Sequence, residues 1–170
     1  MQSNKNIANS KISLFEKIFF TKMETLPKDV RRKIALELSP ADIVRFCLAE
    51  SESNKEICQS DAFWRLKIQR DFPDLFYHYD KYGLHLKHPK NTYLKTVSKY
   101  RKAIEDFSKK YTVPEEDIDN LYQSVKTNPN NYISRIGFIK KYPIPKKSIS
   151  SLFYALEKID GHFLRHGKLM

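Results

Sequence analysis

Along this chain apolar side chains recur at intervals of three and four rather than two, and that period sets the first expectation, a helical protein. The segment LPKDVRRKIALEL (26–38) places Val30, Ile34 and Leu38 at i, i+4 and i+8, which makes one apolar stripe along one short helix. Pro27 suits the first helical turn, where its missing N–H costs nothing, and Asp29 behind it favours the positive end of the helix dipole. At 39–42, SPAD restarts a helix: Ser39 caps, Pro40 takes the first helical position and Asp42 completes an S-x-x-D box. Ile43, Phe46 and Cys47 extend the apolar pattern. A polar interval, ESESNKE, precedes Ile57 and Cys58; Ser60 or Asp61 then caps a third stretch carrying Phe63, Trp64, Ile68 and Phe72, which Pro73 ends. Three short helices between residues 24 and 74 form a unit with little core of its own.

The flanks read differently. Residues 11–22, KISLFEKIFFTK, space Ile12, Phe15, Ile18 and Phe19 as a short amphipathic helix that covers part of the core or lies on a membrane surface. Residues 75–92 are aromatic, bear histidines and are interrupted by Gly83 and Pro89, which reads as a connecting stretch. Beyond it, Tyr93, Val97, Tyr100, Ile104, Phe107 and Tyr111 form a long helical face. Thr112 to Glu115 supplies a capping box for a helix with Ile118, Leu121, Tyr122 and Val125. Asn128-Pro129 opens a helix carrying Tyr132, Ile133, Ile136 and Ile139, and Ser148 opens a last one with Leu152, Phe153, Leu156 and Ile159, closed by Gly161. The expected organisation is all-α: an extension (1–23), a three-helix module (24–74), a connection (75–92) and a basic helical region (93–170).

Charge sharpens the division. The chain carries a net charge of +11, yet residues 24–74 hold 9 basic and 10 acidic side chains against 18 and 9 in residues 75–170. Whatever the positive charge attracts is expected to bind the distal region. Cys47 and Cys58 fall in helical stretches without ligand-type spacing and are expected to be reduced, buried thiols. No signal-type opening and no apolar run long enough to span a bilayer is present, which predicts a soluble, intracellular protein without stable membrane insertion. His78, His85 and His88 lack a carboxylate or thiol cluster around them, so no metal is expected. Neither phosphate-binding glycine loops nor H-E-x-x-H or G-x-S-x-G occurs, and no catalytic residue, cofactor or enzymatic activity is expected.

The ordered set Leu26-Pro27-Lys28-Asp29-Val30, Ile34, Leu38, Asp42-Ile43 and Phe63-Trp64 resembles the F-box family, and the variant form looks most similar to F-box proteins of large DNA viruses. The resemblance covers about 50 of 170 residues. It implies a three-helix module that docks on the Skp-family subunit of an SCF-type cullin-RING ubiquitin ligase. The rest of the chain would then hold an unknown target protein, in the cytoplasm or nucleus of a host cell if the chain is viral. Carried over by position, Leu26, Pro27, Val30, Ile34 and Leu38 form most of the docking face, which Ile43 and Trp64 complete. The rival reading is nucleic-acid binding. Residues 136–159 can form two helices around a proline-containing turn, with Lys140, Lys141, Lys146, Lys147, Arg165 and Lys168 as candidate contacts to phosphates or to an acidic partner.

Overall fold

The computed structural model describes residues 25–48, 52–82, 86–128 and 132–161, and of residues 52–54 and 132–135 the backbone alone. The expected N-terminal helix with Ile12, Phe15, Ile18 and Phe19, as well as His85, Arg165 and Lys168, lies outside the described residues. Nine α-helices and no strand occur among those described, as the spacing of apolar residues predicts. The chain divides into two compact units, and the division falls between Phe63 and Trp64, inside a helix.

The first unit contains α1 (Lys28–Glu37), α2 (Pro40–Leu48), α3 (Glu52–Gln59) and the first turn of α4 (Asp61–Asp71). Residues 24–74 therefore hold more than the three helices expected, because much of the interval read as polar is itself α3. Apolar residues are scarce there before Ile57, and packing of α2 on α3 supplies what periodicity does not. The predicted cap forms at Ser39: the Asp42 N–H donates to Ser39 Oγ at 3.2 Å, and the hydroxyl donates back to the Asp42 carboxylate at 2.6 Å. At α4 the Phe63 N–H donates to Ser60 Oγ at 3.3 Å. The expectation of free thiols fails. Cys47 and Cys58 form a disulfide, because the end of α2 and α3 bring their Cα atoms to 5.6 Å, within bridging distance.

The second unit runs from Trp64 through α5 (Pro73–Lys81), α6 (Pro89–Tyr111), α7 (Glu115–Thr127), α8 (Tyr132–Lys141) and α9 (Lys146–Asp160). The start of the expected connection at 75–92 is instead α5. Pro73 does end α4, but it also occupies the first turn of the next helix, where its fixed φ suits the helical backbone. The long face of α6 is as predicted, with Tyr93, Val97, Ile104 and Phe107 buried. The capping box at Thr112 does not form. Thr112 adopts a left-handed conformation (φ 53°) and closes α6, its N–H donating to the Ser108 carbonyl, while Pro114 precedes α7 without a side-chain cap. Helix α9 packs along α6, α7 packs on α6, and α8 packs on α7, around a core that includes Ile104, Phe107, Leu121, Tyr122, Phe153 and Leu156.

Tyrosines tie this unit together through carboxylates. The hydroxyl of Tyr93 donates to Asp71 at 2.6 Å, that of Tyr100 to Asp119 at 2.7 Å and that of Tyr122 to buried Asp160 at 2.9 Å. Burial pushes the Tyr93, Tyr100 and Tyr122 phenols up, and the facing carboxylates add to the effect, so all three stay protonated donors. Lys126 also reaches Asp160 at 2.8 Å and Asp74 at 3.7 Å. Asp71 additionally pairs with the buried ammonium of Lys67 at 3.0 Å.

Candidate functional site

On α1 the inward positions are Arg31 and Ala35, one helical turn apart. The apolar stripe therefore is not the buried face. Val30 is 41% exposed, Pro27 is exposed, and Leu26, Ile34 and Leu38 are half-buried. A small residue, Ala35, takes the close contact, and the larger aliphatic groups are left at the surface of the first unit. The start of the helix is fixed locally: the Arg31 guanidinium donates from Nε to the Leu26 carbonyl at 3.0 Å, and the Arg31 N–H donates to the Pro27 carbonyl at 3.0 Å. Lys28 forms an ion pair with Glu56 of α3.

Two expected members of the face are elsewhere. Ile43 is fully buried on the inner side of α2, and Trp64, 1% exposed, stacks against Tyr93 with ring centroids 5.2 Å apart. Both are core residues, which corrects the expectation that they complete a docking face. The reason is the direction of each side chain on its helix: Ile43 and Phe46, three apart, share the buried face of α2. Leu48, at the end of α2, is in contrast 69% exposed.

In the second unit Lys140, Lys146 and Lys147 are exposed on either side of the turn Tyr142–Pro145, so the predicted pair of helices around a proline turn is present. Lys141 is different. Its ammonium donates to Asp117 of α7 at 2.8 Å, and the Tyr142 hydroxyl donates to the same carboxylate. These two donors, Lys141 foremost, hold the Asp117 carboxyl below the usual carboxylate range, and Asp117 in turn raises the Lys141 ammonium. The exposed positions of α9 include Lys147, Ser150, Ser151, Tyr154 and Lys158, none of them Arg, Asn or Gln for base edges.

A cleft of about 300 Å³ lies between α7 and α8. Asp117, Asn120, Leu121 and Ser124 line it from α7; Gly137, Phe138, Lys141 and Tyr142 line it from α8 and the following turn. The residues from α7 follow the spacing 0, 3, 4 and 7 and so share one helix face. None of Asn120, Ser124 and Gly137 stands out in the sequence, because the cleft arises from the packing of two helices and not from spacing along either. Ile136, expected in the core, is 50% exposed, and Phe138 is buried in its stead.

His78 is half-buried with its ring 4.8 Å from that of Tyr82, and His88 is exposed. Among the described residues no group of three or more His, Cys, Asp or Glu can hold a metal ion, and no helix is long and apolar enough to cross a membrane. The chain matches no family model, no curated protein and no solved structure.

Proposed function

We propose that the chain is an adaptor of the F-box type, docking through α1 on a Skp-family subunit of a cullin-RING ubiquitin ligase and recruiting a target protein through its distal, basic region. The observation that carries this reading is the placement of the stripe. Leu26, Pro27, Val30, Ile34 and Leu38 keep apolar surface outward while Ala35 makes the internal contact, and an apolar patch of that kind is the usual centre of a protein interface. Ile43 is a core residue of the first unit and Trp64 a core residue of the second. No step of chemistry falls to this chain; its contribution is proximity between ligase and target.

Co-purification with a Skp-family subunit tests the reading directly. The unmodified chain is expected to be retained, and replacing both Leu26 and Pro27 by Ala, or Val30 by Asp, is expected to weaken retention at least about tenfold, as loss of a central anchor does. Val30→Asp is the cleaner variant because Val30 is the most exposed aliphatic of the stripe and not one of the buried positions of α1, so the melting temperature is expected to stay close to that of the parent. Absence of binding by the unmodified chain would sink the adaptor reading.

The helix pair α8–α9 with Lys140, Lys146 and Lys147 favours nucleic acid as the second reading. It predicts tight binding to duplex DNA that weakens steeply with salt and is lost when these lysines and Lys141 are replaced. Lys141 is already engaged by Asp117, and the exposed face of α9 is poor in base-reading side chains, so the adaptor reading is preferred.

A further inference from the structure

Between Lys81 and Ile104 the sequence holds seven Lys or Arg residues and no Asp or Glu. On α6, Lys95, Lys99 and Lys102 follow the spacing 0, 4 and 7 and so share one helix face about 10 Å long, with Arg101 on its flank. All four are exposed. At about 3.6 residues per turn the row lies opposite Tyr93, Val97, Ile104 and Phe107, the buried side of the same helix, and so faces solvent. Asp71 and Asp119, which meet α6 from α4 and α7, accept from Tyr93 and Tyr100 on that inner side. Among the described residues none of the four cations forms an ion pair. Such a row works against the helix that bears it. Like charges three and four residues apart repel, and the first turn of α6, where an acid would be favourable, has none and carries Lys90. The usual remedy is present farther along, where Glu105 pairs with Lys109. Over residues 95–102 the repulsion is left uncompensated, and an anion from outside would relieve it.

We propose that this face of α6 binds the phosphate backbone of double-stranded nucleic acid without reading its sequence. Every exposed residue of α6 is polar or charged. A protein partner needs apolar or aromatic anchors at the centre of its interface, an anionic membrane needs an apolar face beside the lysines, and single strands need aromatic rings on which bases stack. The face offers none of the three. What it fits is a polyanion held by charge alone, and duplex DNA, with about one negative charge per 1.7 Å of axis, is dense enough to meet every cation of the row. Exposed Asn91 and Ser98 on the same face are of types that contact phosphate. This surface is not the α8–α9 pair with Lys140, Lys146 and Lys147, and the inference stands apart from the adaptor reading, since α1 has no part in it.

Fluorescence anisotropy of a short labelled DNA duplex titrated with the full chain tests the face, and an RNA duplex run in parallel distinguishes the two sources of such a backbone. Binding is expected at about 50 mM salt, and three or more phosphate contacts weaken it by roughly 40-fold or more at about 200 mM. That salt dependence is measured on the parent and needs no variant. Lys95→Gln/Lys99→Gln/Lys102→Gln is expected to weaken binding at least about tenfold, whereas Lys140→Gln/Lys146→Gln/Lys147→Gln changes it by less than about threefold. The first variant is expected to melt no lower than the parent, because repulsion along the row is relieved. An unlabelled duplex of unrelated sequence is expected to compete as well as the labelled one. No binding of either duplex at low salt, a salt dependence under about tenfold over that range, a marked preference for one sequence, or equal losses in the two triple variants would each overturn the proposal. Tighter binding to poly-glutamate would overturn it in favour of an acidic protein, and tighter binding to vesicles rich in phosphatidylserine in favour of a membrane surface. Co-purification of the first variant with a Skp-family subunit is expected to match the parent, so the failure of adaptor docking and the failure of duplex binding are read separately.

Discussion

Two glycines in this chain have opposite physical justifications, and single substitutions separate them. Gly161 ends α9 at φ 84°, and a Cβ there would stand 2.6 Å from both the Cα and the amide nitrogen of Leu75 at the start of α5. Alanine at this site meets left-handed strain of roughly 1–2 kcal/mol and a backbone clash with no flexible side chain to yield. Overpacking adds about 1–3 kcal/mol more. Gly161→Ala is therefore expected to destabilise the protein by about 2–5 kcal/mol, read as a fall in the urea midpoint; a change under about 0.5 kcal/mol would show that the close approach is not maintained in solution. Gly137→Ala acts in the reverse direction. With no neighbour among the described residues to clash and an ordinary helical backbone, the methyl group is expected to add about 0.5–1 kcal/mol through reduced unfolded-state freedom and better helix propensity. A destabilised Gly137→Ala chain would mean that the glycine serves an internal contact and not the cleft.

Between elements, the contact of α7 with α8 depends on one carboxylate that has two donors, and that makes its contribution sensitive to acid. Because Lys141 and Tyr142 depress the folded pKa of Asp117, the stabilisation is complete above the unfolded carboxylate value of about 4 and is lost as pH falls through the lower, folded value. The urea midpoint of the parent should exceed that of Asp117→Asn by a constant amount from about pH 7 down to about pH 5, and the gap should close below that; a gap that persists into strong acid would assign it to packing instead. In the first unit the corresponding tie is covalent. The disulfide joins residues 11 apart, a loop worth about 3 kcal/mol in chain entropy, so dithiothreitol is expected to lower the stability of this unit by roughly that amount, whereas a Cys58→Ser chain gains no further sensitivity to reductant. These elements are unequally visible in the sequence. The apolar rows of α6, α7 and α9 are long enough for period alone to reveal them, and the cap at Ser39 is a local hydrogen-bond pattern readable from four residues. Helices α3 and α5 are hidden because the first has few apolar residues and the second is bracketed by proline and glycine, so tertiary packing, not propensity, decides them. The stripe on α1 is legible as a stripe, but which side of the helix turns inward is not, since Ala35 competes with larger residues by size rather than by hydrophobicity. Pairing of Cys47 with Cys58 and the cleft beside Gly137 are products of distance in space, for which spacing along the chain gives no sign.

At the scale of the whole molecule, charge and apolar surface are segregated along the chain, and the internal use of acids enlarges the effect. Asp117, Asp119 and Asp160 accept from tyrosines, as Asp71 does in α4, and Lys67, Lys126 and Lys141 share three of these four, so three of the nine acids of residues 75–170 are engaged within the second unit. Lys140, Lys146 and Lys147 remain outward, whereas residues 24–74 are close to neutral and present Val30 and Pro27. Two binding events proposed for one chain should then respond differently to ionic strength. Docking through α1 removes apolar area from water, and counter-ions have little to screen there. An acidic target recruited by the distal region is drawn by its exposed lysines, and its association rate and affinity both fall once the Debye length drops below the separation of the charges. Raising sodium chloride from about 50 to about 500 mM is expected to change affinity for a Skp-family subunit by less than about threefold, and to weaken binding of an acidic target to the distal region by about tenfold or more. Titrations of the same preparation with each ligand across that range decide between them. Equal salt dependence of the two would mean that they share one charged surface, and the division of labour between the neutral and basic parts of the chain would have to be abandoned.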